Sequence, residues 1–339
     1  MLYKECYAEL KKAMLRLYKK KAFEKFTYMN FFYLIDEKSH GIAVFNSLTS
    51  GNLPSLSFYL KDVGIQYLFD SYLSSTGLVH NGVFANMLVL SLVPRSDLTE
   101  EDIAFFKKKK IRITQENNLL PCEFKEGYMY QYFSLSKIKQ VVEYLYYLNS
   151  LLDNELKDIE EAFQKEEIVL AGFDTVNHLY ELKFTKDFSL GRMPAYKKID
   201  FNFANEYKES TYVDDTCYIG RYFEPMKEDG QPYYDTLLVA YYEKKDTHIV
   251  QKISCKPHQF LEYCYGFLDM VFKKEGLPTK VVFNNRRLTS LLLKTLAYLD
   301  IEVVYHREPE QLDTIFLEYV QEILDETEEG EKKTNVFVS

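Results

Sequence analysis

Apolar residues return every three to four positions from the start of the chain, at Tyr3, Cys6, Tyr7, Leu10, Ala13, Met14, Leu17 and Tyr18. That spacing makes one wet and one dry face and predicts a helix in need of a partner sheet. Short apolar runs at 31–35, 41–45 and 56–60, separated by Asp36, Ser39, Gly51 and Pro54, predict strands that would supply it. A helix over 62–73, a buried strand over 83–93 and a helix over 99–110 complete an α+β N-terminal domain, 1–134.

The period then changes. Leu135, Val142, Asn149, Leu156 and Phe163 recur every seven residues, with Ile138, Leu145, Leu152 and Ile159 offset by three. This predicts a long linking helix over 135–165. With Asn149 at an a position the stripe through 135–163 would also serve as a dimer seam. Val141, Leu148 and Ala162 widen the apolar face, which suits packing within the chain better. Beyond it, strand-like runs fall at 168–170, 179–184, 212–219, 236–242 and 248–254, and the weak period of 186–209 reads as loop with one short strand. Pro257 opens a helix bearing Phe260, Leu261, Cys264, Phe267, Leu268 and Val271, and Gly276 with Pro278 ends it. A strand at 280–283, a helix at 287–299, a strand at 301–305 and a last helix on Leu312, Ile315, Phe316, Tyr319, Val320 and Ile323 imply parallel strands joined by right-handed crossovers. The expectation is an α/β C-terminal domain with a mixed sheet, 166–326, and a charged tail, 327–339, that frays.

Composition sets bounds on this picture. A chain of 339 residues exceeds the usual size of one core, and 47% hydrophobic with 27% charged residues is ordinary for a globular protein. Tryptophan is absent, so packing rests on 29 Tyr and 25 Phe; clusters such as Tyr128, Tyr130, Tyr132 and Tyr144, Tyr146, Tyr147 read as half-buried core before they read as base-stacking platforms. A net charge of −9 disfavours nucleic acid as a partner. The runs Lys19 to Lys21 and Lys107 to Lys110 with Arg112 qualify that, but the second follows Thr99, Glu100, Glu101 and Asp102 on one helix, with acids at its positive end and lysines at its negative end. Five cysteines with no C-x-x-C pair suit reduced thiols in the cytoplasm. No signal-peptide pattern and no run of about 18 apolar residues is present, which points away from a membrane.

Familiar chemistry is sparse. Glycine-rich phosphate loops and a G-x-S-x-G elbow are absent, and the six histidines show no local pairing with Ser or Cys. Cys255, His258 and Cys264 lack a fourth zinc ligand, and His258 and Cys264, six apart on a predicted helix, face different ways. Arg286 and Arg287, just after a strand and at a helix start, are the best anion-binding candidates. Antiparallel strands followed by alternating helices and parallel strands resemble in layout a ribonuclease H-like domain, whose catalysts hold two metal ions with carboxylates. The resemblance implies an acid on the first strand, met here by Asp214, Asp215 or Asp235, one at the end of the fourth, where Asn284 stands, and one on a late helix, Glu318 or Glu322. An amide at Asn284 supplies no charge for Mg²⁺, so catalysis is disfavoured and no metal or cofactor is expected.

Two sets of segments resemble an uncharacterised bacterial family of paired domains. Residues 91–98 with Asp102, 121–124, Gly127 and Tyr128 look like its N-terminal domain; 276–282, 299–303 and 309–313 look like its C-terminal one. That family has no established activity, so it implies no catalytic residues. The expected function is a non-catalytic cytoplasmic protein that binds a protein partner. The alternatives are a metal-dependent nuclease or nucleic-acid binder using Asp215 or Asp235, Asn284 and Glu318, and an acidic mimic of nucleic acid.

Overall fold

The first apolar stripe forms α1 (Tyr3–Lys19), which buries Cys6, Tyr7, Leu10, Ala13, Met14 and Leu17. The computed structural model describes residues 2–36, 40–46, 53–61, 64–65, 67–68, 86–174, 179–186, 199–223, 233–306 and 309–336. They divide into two units, Met1–Arg192 and Met193–Ser339. Most of the helix expected at 62–73 lies outside the described residues, as do 83–85 of the strand expected at 83–93.

In the first unit, α2 (Ala22–Lys25) leads into β1 (Phe31–Asp36), β2 (His40–Asn46), β3 (Ser55–Leu60) and β4 (Met87–Val93). Next come α3 (Glu100–Lys108), β5 (Asn118–Phe124), β6 (Gln131–Tyr132), α4 (Leu135–Asn154), α5 (Leu156–Gln164), β7 (Ile168–Asp174) and β8 (Leu179–Thr185). One eight-stranded sheet runs β6-β5-β4-β3-β2-β1-β7-β8. Its neighbours are antiparallel except β1 and β7, which pair in parallel from Phe32 against Val169. Helices α1, α4 and α5 bury their apolar stripes in one core with this sheet.

Three readings change here. The strands at 168–170 and 179–184 belong to the first sheet rather than to a domain starting at 166, because β7 pairs with β1. Apolar runs of this length announce a strand without naming its neighbour. The helix over 135–165 is two helices, interrupted at Glu155 (φ −122°, ψ 16°), where weak helix formers Asp153 and Asn154 precede it. The heptad phase conceals the break, since Leu152 and Ile159 are buried on either side of it. That heptad face is spent within the unit: Ile138, Val142, Leu145, Asn149 and Leu152 are buried, and the Asn149 side chain donates to Ala13 O at 3.0 Å and Leu145 O at 2.9 Å. β5 was not predictable from alternation, because Pro121 interrupts it and Asn118 is a buried amide, satisfied by the carbonyls of Val93 and Thr114.

The second unit begins with α6 (Phe201–Tyr207), capped by Asp200 accepting from Phe203 N, in a stretch expected to be loop. It continues with β9 (Tyr212–Phe223), β10 (Thr236–Tyr242), β11 (Thr247–Ile253), α7 (Phe260–Glu275), β12 (Leu277–Phe283), α8 (Arg286–Tyr298), β13 (Glu302–Tyr305) and α9 (Glu310–Val336). The five-stranded sheet is ordered β11-β10-β9-β12-β13. β9, β10 and β11 are an antiparallel meander, while β9–β12 and β12–β13 are parallel. Strand alternation sorts the two faces: Cys217, Ile219, Leu238 and Ala240 pack with α6, α7 and α8, whereas Tyr222, Leu237 and Val239 pack with Leu312 and Phe316 of α9. The charged stretch expected to fray from 327 is helical to Val336.

Candidate functional site

The carboxyl ends of β9 and β12 meet at Asn284. Its N–H continues the parallel ladder to Ile219 O at 3.2 Å, and its side-chain Oδ1 accepts from Arg221 N at 3.0 Å, so the amide replaces a missing backbone partner. The next residue, Asn285, turns the chain into α8 by accepting from Leu288 N at 2.9 Å. One residue past the last register pair, Phe283 with Ile219, Asn284 stands level with Gly220.

A glycine at 220 is required by its surroundings. A Cβ there would lie 2.5 Å from Tyr222 Cε2 and 3.2 Å from Leu312 Cδ1. The Tyr222 ring covers this spot, stacked on Phe316 with centroids 4.3 Å apart and planes 7° from parallel. Its hydroxyl donates to Asp313 Oδ1 at 2.8 Å and is also bonded by the Asn284 amide. Burial, reinforced by the Asp313 charge, pushes the Tyr222 hydroxyl well above the usual phenol range, so it stays protonated as a donor.

On the opposite face Arg221 is buried, 3% exposed, with its guanidinium 3.7 Å from the Phe260 ring and 4.8 Å from Phe223. Burial lowers it to about 10. The Cys264 thiol is pushed up to about 12 by burial, with Arg221 opposing the rise.

The sequence-predicted acids do not converge on Asn284. Asp215 closes the β10–β11 turn, accepting from the backbone N–H of Thr216, Lys244 and Lys245. It lies five residues down β9 from Gly220, about 16 Å at the rise of an extended strand. Asp214 is exposed beside Lys244 at 2.7 Å. Asp235 is buried at the other end of the sheet, next to the Thr236–Phe223 pair, with Lys252 3.2 Å away. Glu318 and Glu322 are exposed on α9, off the face formed by Leu312, Phe316 and Val320. Among the described residues of that helix, the acid that meets the sheet is Asp313, just over one turn earlier. Reading it required placing 313 beside Leu312 on the buried stripe, and finding Tyr222 required extending the strand beyond 219.

Arg286 stands over the Tyr305 ring at 4.7 Å, and Arg287 is exposed in the first turn of α8. The zinc-compatible trio separates, with Cys255 and Cys264 buried and His258 exposed. Among the described residues, no three His, Cys, Asp or Glu side chains are grouped closely enough to hold a metal ion. No helix in them is long and apolar enough to cross a membrane.

Residues 205–320 match a family described as a domain of unknown function (DUF6930). The match takes in β9, Asn284 and Asp313, so the corner described above lies wholly inside it. The segments 276–282, 299–303 and 309–313 fall within it too, whereas 91–98 and 121–128 do not. A comparison with curated proteins finds no match.

Proposed function

We propose that the chain is a non-catalytic binding protein whose DUF6930 region is a ribonuclease H-like scaffold with a closed catalytic corner. Counted from β9, the strand order is 3-2-1-4-5, with the first three antiparallel, the last two parallel to the first, and helices following the third, fourth and fifth. That layout supports the finer fold reading. The observation that carries the function is Gly220: the first-strand position facing Asn284 has no room for a carboxylate under Tyr222. With Gly220 and Asn284 at two positions and Asp313 engaged by Tyr222, a single acid remains there among the described residues, where two metal ions would need several.

The corresponding test is incubation with labelled single- and double-stranded DNA, RNA and hybrid, with Mg²⁺ or Mn²⁺ titrated to millimolar. No cleavage is expected. Metal-dependent cleavage that Asp313→Asn abolishes would overturn the reading. A protein partner in a cytoplasmic, reducing setting completes the proposal, supported by five free cysteines. One observation favours acidic mimicry as a second reading: α9 carries nine Asp and Glu against two Lys, most of the chain's net charge of −9. Salt-sensitive competition between this chain and DNA for a basic protein would support it.

A further inference from the structure

Between the α1–α2 junction and the α4–α5 break lies a cavity of about 340 Å³, within the range of roughly 300–1,000 Å³ found for small-molecule sites. Phe26, Leu152 and Leu156 give it an apolar side, and Lys20, Lys25 and Asp153 a polar one. Its α1–α2 side is basic, and its α4–α5 side carries the acids that pair with it. Residues 11–25 hold seven Lys and Arg against one acid, in a protein of net charge −9.

The two lysines are held in place yet not saturated. Lys20 Nζ donates to Asn149 O at 2.8 Å and pairs with Asp153 at 2.5 Å, a carboxylate it shares with Arg16. Lys25 Nζ donates to Glu160 Oε1 at 2.5 Å. An ammonium has three N–H groups, so beyond these contacts Lys20 keeps one and Lys25 keeps two. The intramolecular carboxylates fix where the ammonium groups stand, which removes the entropy that a free lysine would lose on binding.

We propose that this cavity binds a small amphipathic anion, a carboxylate on a short aliphatic or aromatic body. The carboxylate bridges Lys20 and Lys25, and the body lies against Phe26, Leu152 and Leu156. The first unit is then a ligand-binding module, independent of the corner at Asn284.

Titration calorimetry and thermal shift on the full chain, with octanoate as the probe, test this. Octanoate is expected to bind one-to-one and raise the Tm, while octanol and inorganic phosphate bind at least tenfold more weakly. Lys25→Met should weaken octanoate at least tenfold, the loss of a charge-assisted hydrogen bond, with little change in the Tm of the free protein because the Lys25–Glu160 pair is surface-exposed. Leu156→Trp fills the apolar side, keeps every charge, and should abolish binding. No binding of octanoate at millimolar concentration, equal affinity for either variant, or phosphate binding as well as octanoate would overturn the proposal.

Discussion

At the scale of single residues, the corner between β9 and β12 is defined by what fits rather than by what reacts. Gly220→Asp would force a side chain into the Tyr222 ring and Leu312, and overpacking of this kind costs about 1–3 kcal/mol. Denaturant unfolding of the variant should show that loss and no gain of metal binding. Tyr222→Phe keeps the stack on Phe316 and removes the hydrogen bond to Asp313, so a loss of about 1 kcal/mol is expected. Asp215 illustrates the opposite case, an acid that looks catalytic and is architectural. Asp215→Ala strips the β10–β11 turn of acceptors for three backbone N–H groups, and about 2–3 kcal/mol should be lost with the sheet order intact. Of the candidate site, Asn284 was legible because it ends a strong apolar strand. Asp313 and Tyr222 were not, since their meaning depends on a packing of α9 onto β9 that no local spacing encodes.

At the scale of elements, strong periodicity gave α1, α7, α8, β10 and β11 almost to their ends, and β9 only as far as Ile219. The failures have two causes: polar or proline residues that tertiary contacts make acceptable, and elements too short to show a period. Asn118 and Pro121 hid β5, and the seven-residue α6, held by Asp200 and by Thr295 accepting from Asp200 N, is too short to show a period. The heptad of α4 was visible, but its partner was not. It packs on α1, and Asn149 ties the two by its bond to Ala13 O. Asn149→Leu therefore removes a register-setting amide from an internal seam. Sedimentation of the variant should show the oligomeric state of the parent protein unchanged; a new dimer would mean that the stripe is available to a second copy.

At the scale of the whole molecule, each unit has its own apolar core, and residues 193–339 should fold when expressed alone, with a single cooperative transition in denaturant. The chain leans on tyrosine in place of tryptophan, and many of its phenols are buried donors. Tyr59 is pushed up to about 12 by burial, and burial likewise raises Tyr7 and Tyr222. Because the folded values lie above the unfolded value near 10, the stability these groups confer is complete below about pH 10 and is lost as pH rises through the folded values. Thermal melts between pH 8 and 12 should therefore stay level and then fall steeply above pH 10.

The most direct measurement is a manganese titration of the full chain followed by electron paramagnetic resonance, with Asp313→Asn alongside. A closed corner predicts that Mn²⁺ stays free in both proteins at micromolar concentration. A bound ion in the parent that disappears in Asp313→Asn would contradict the account.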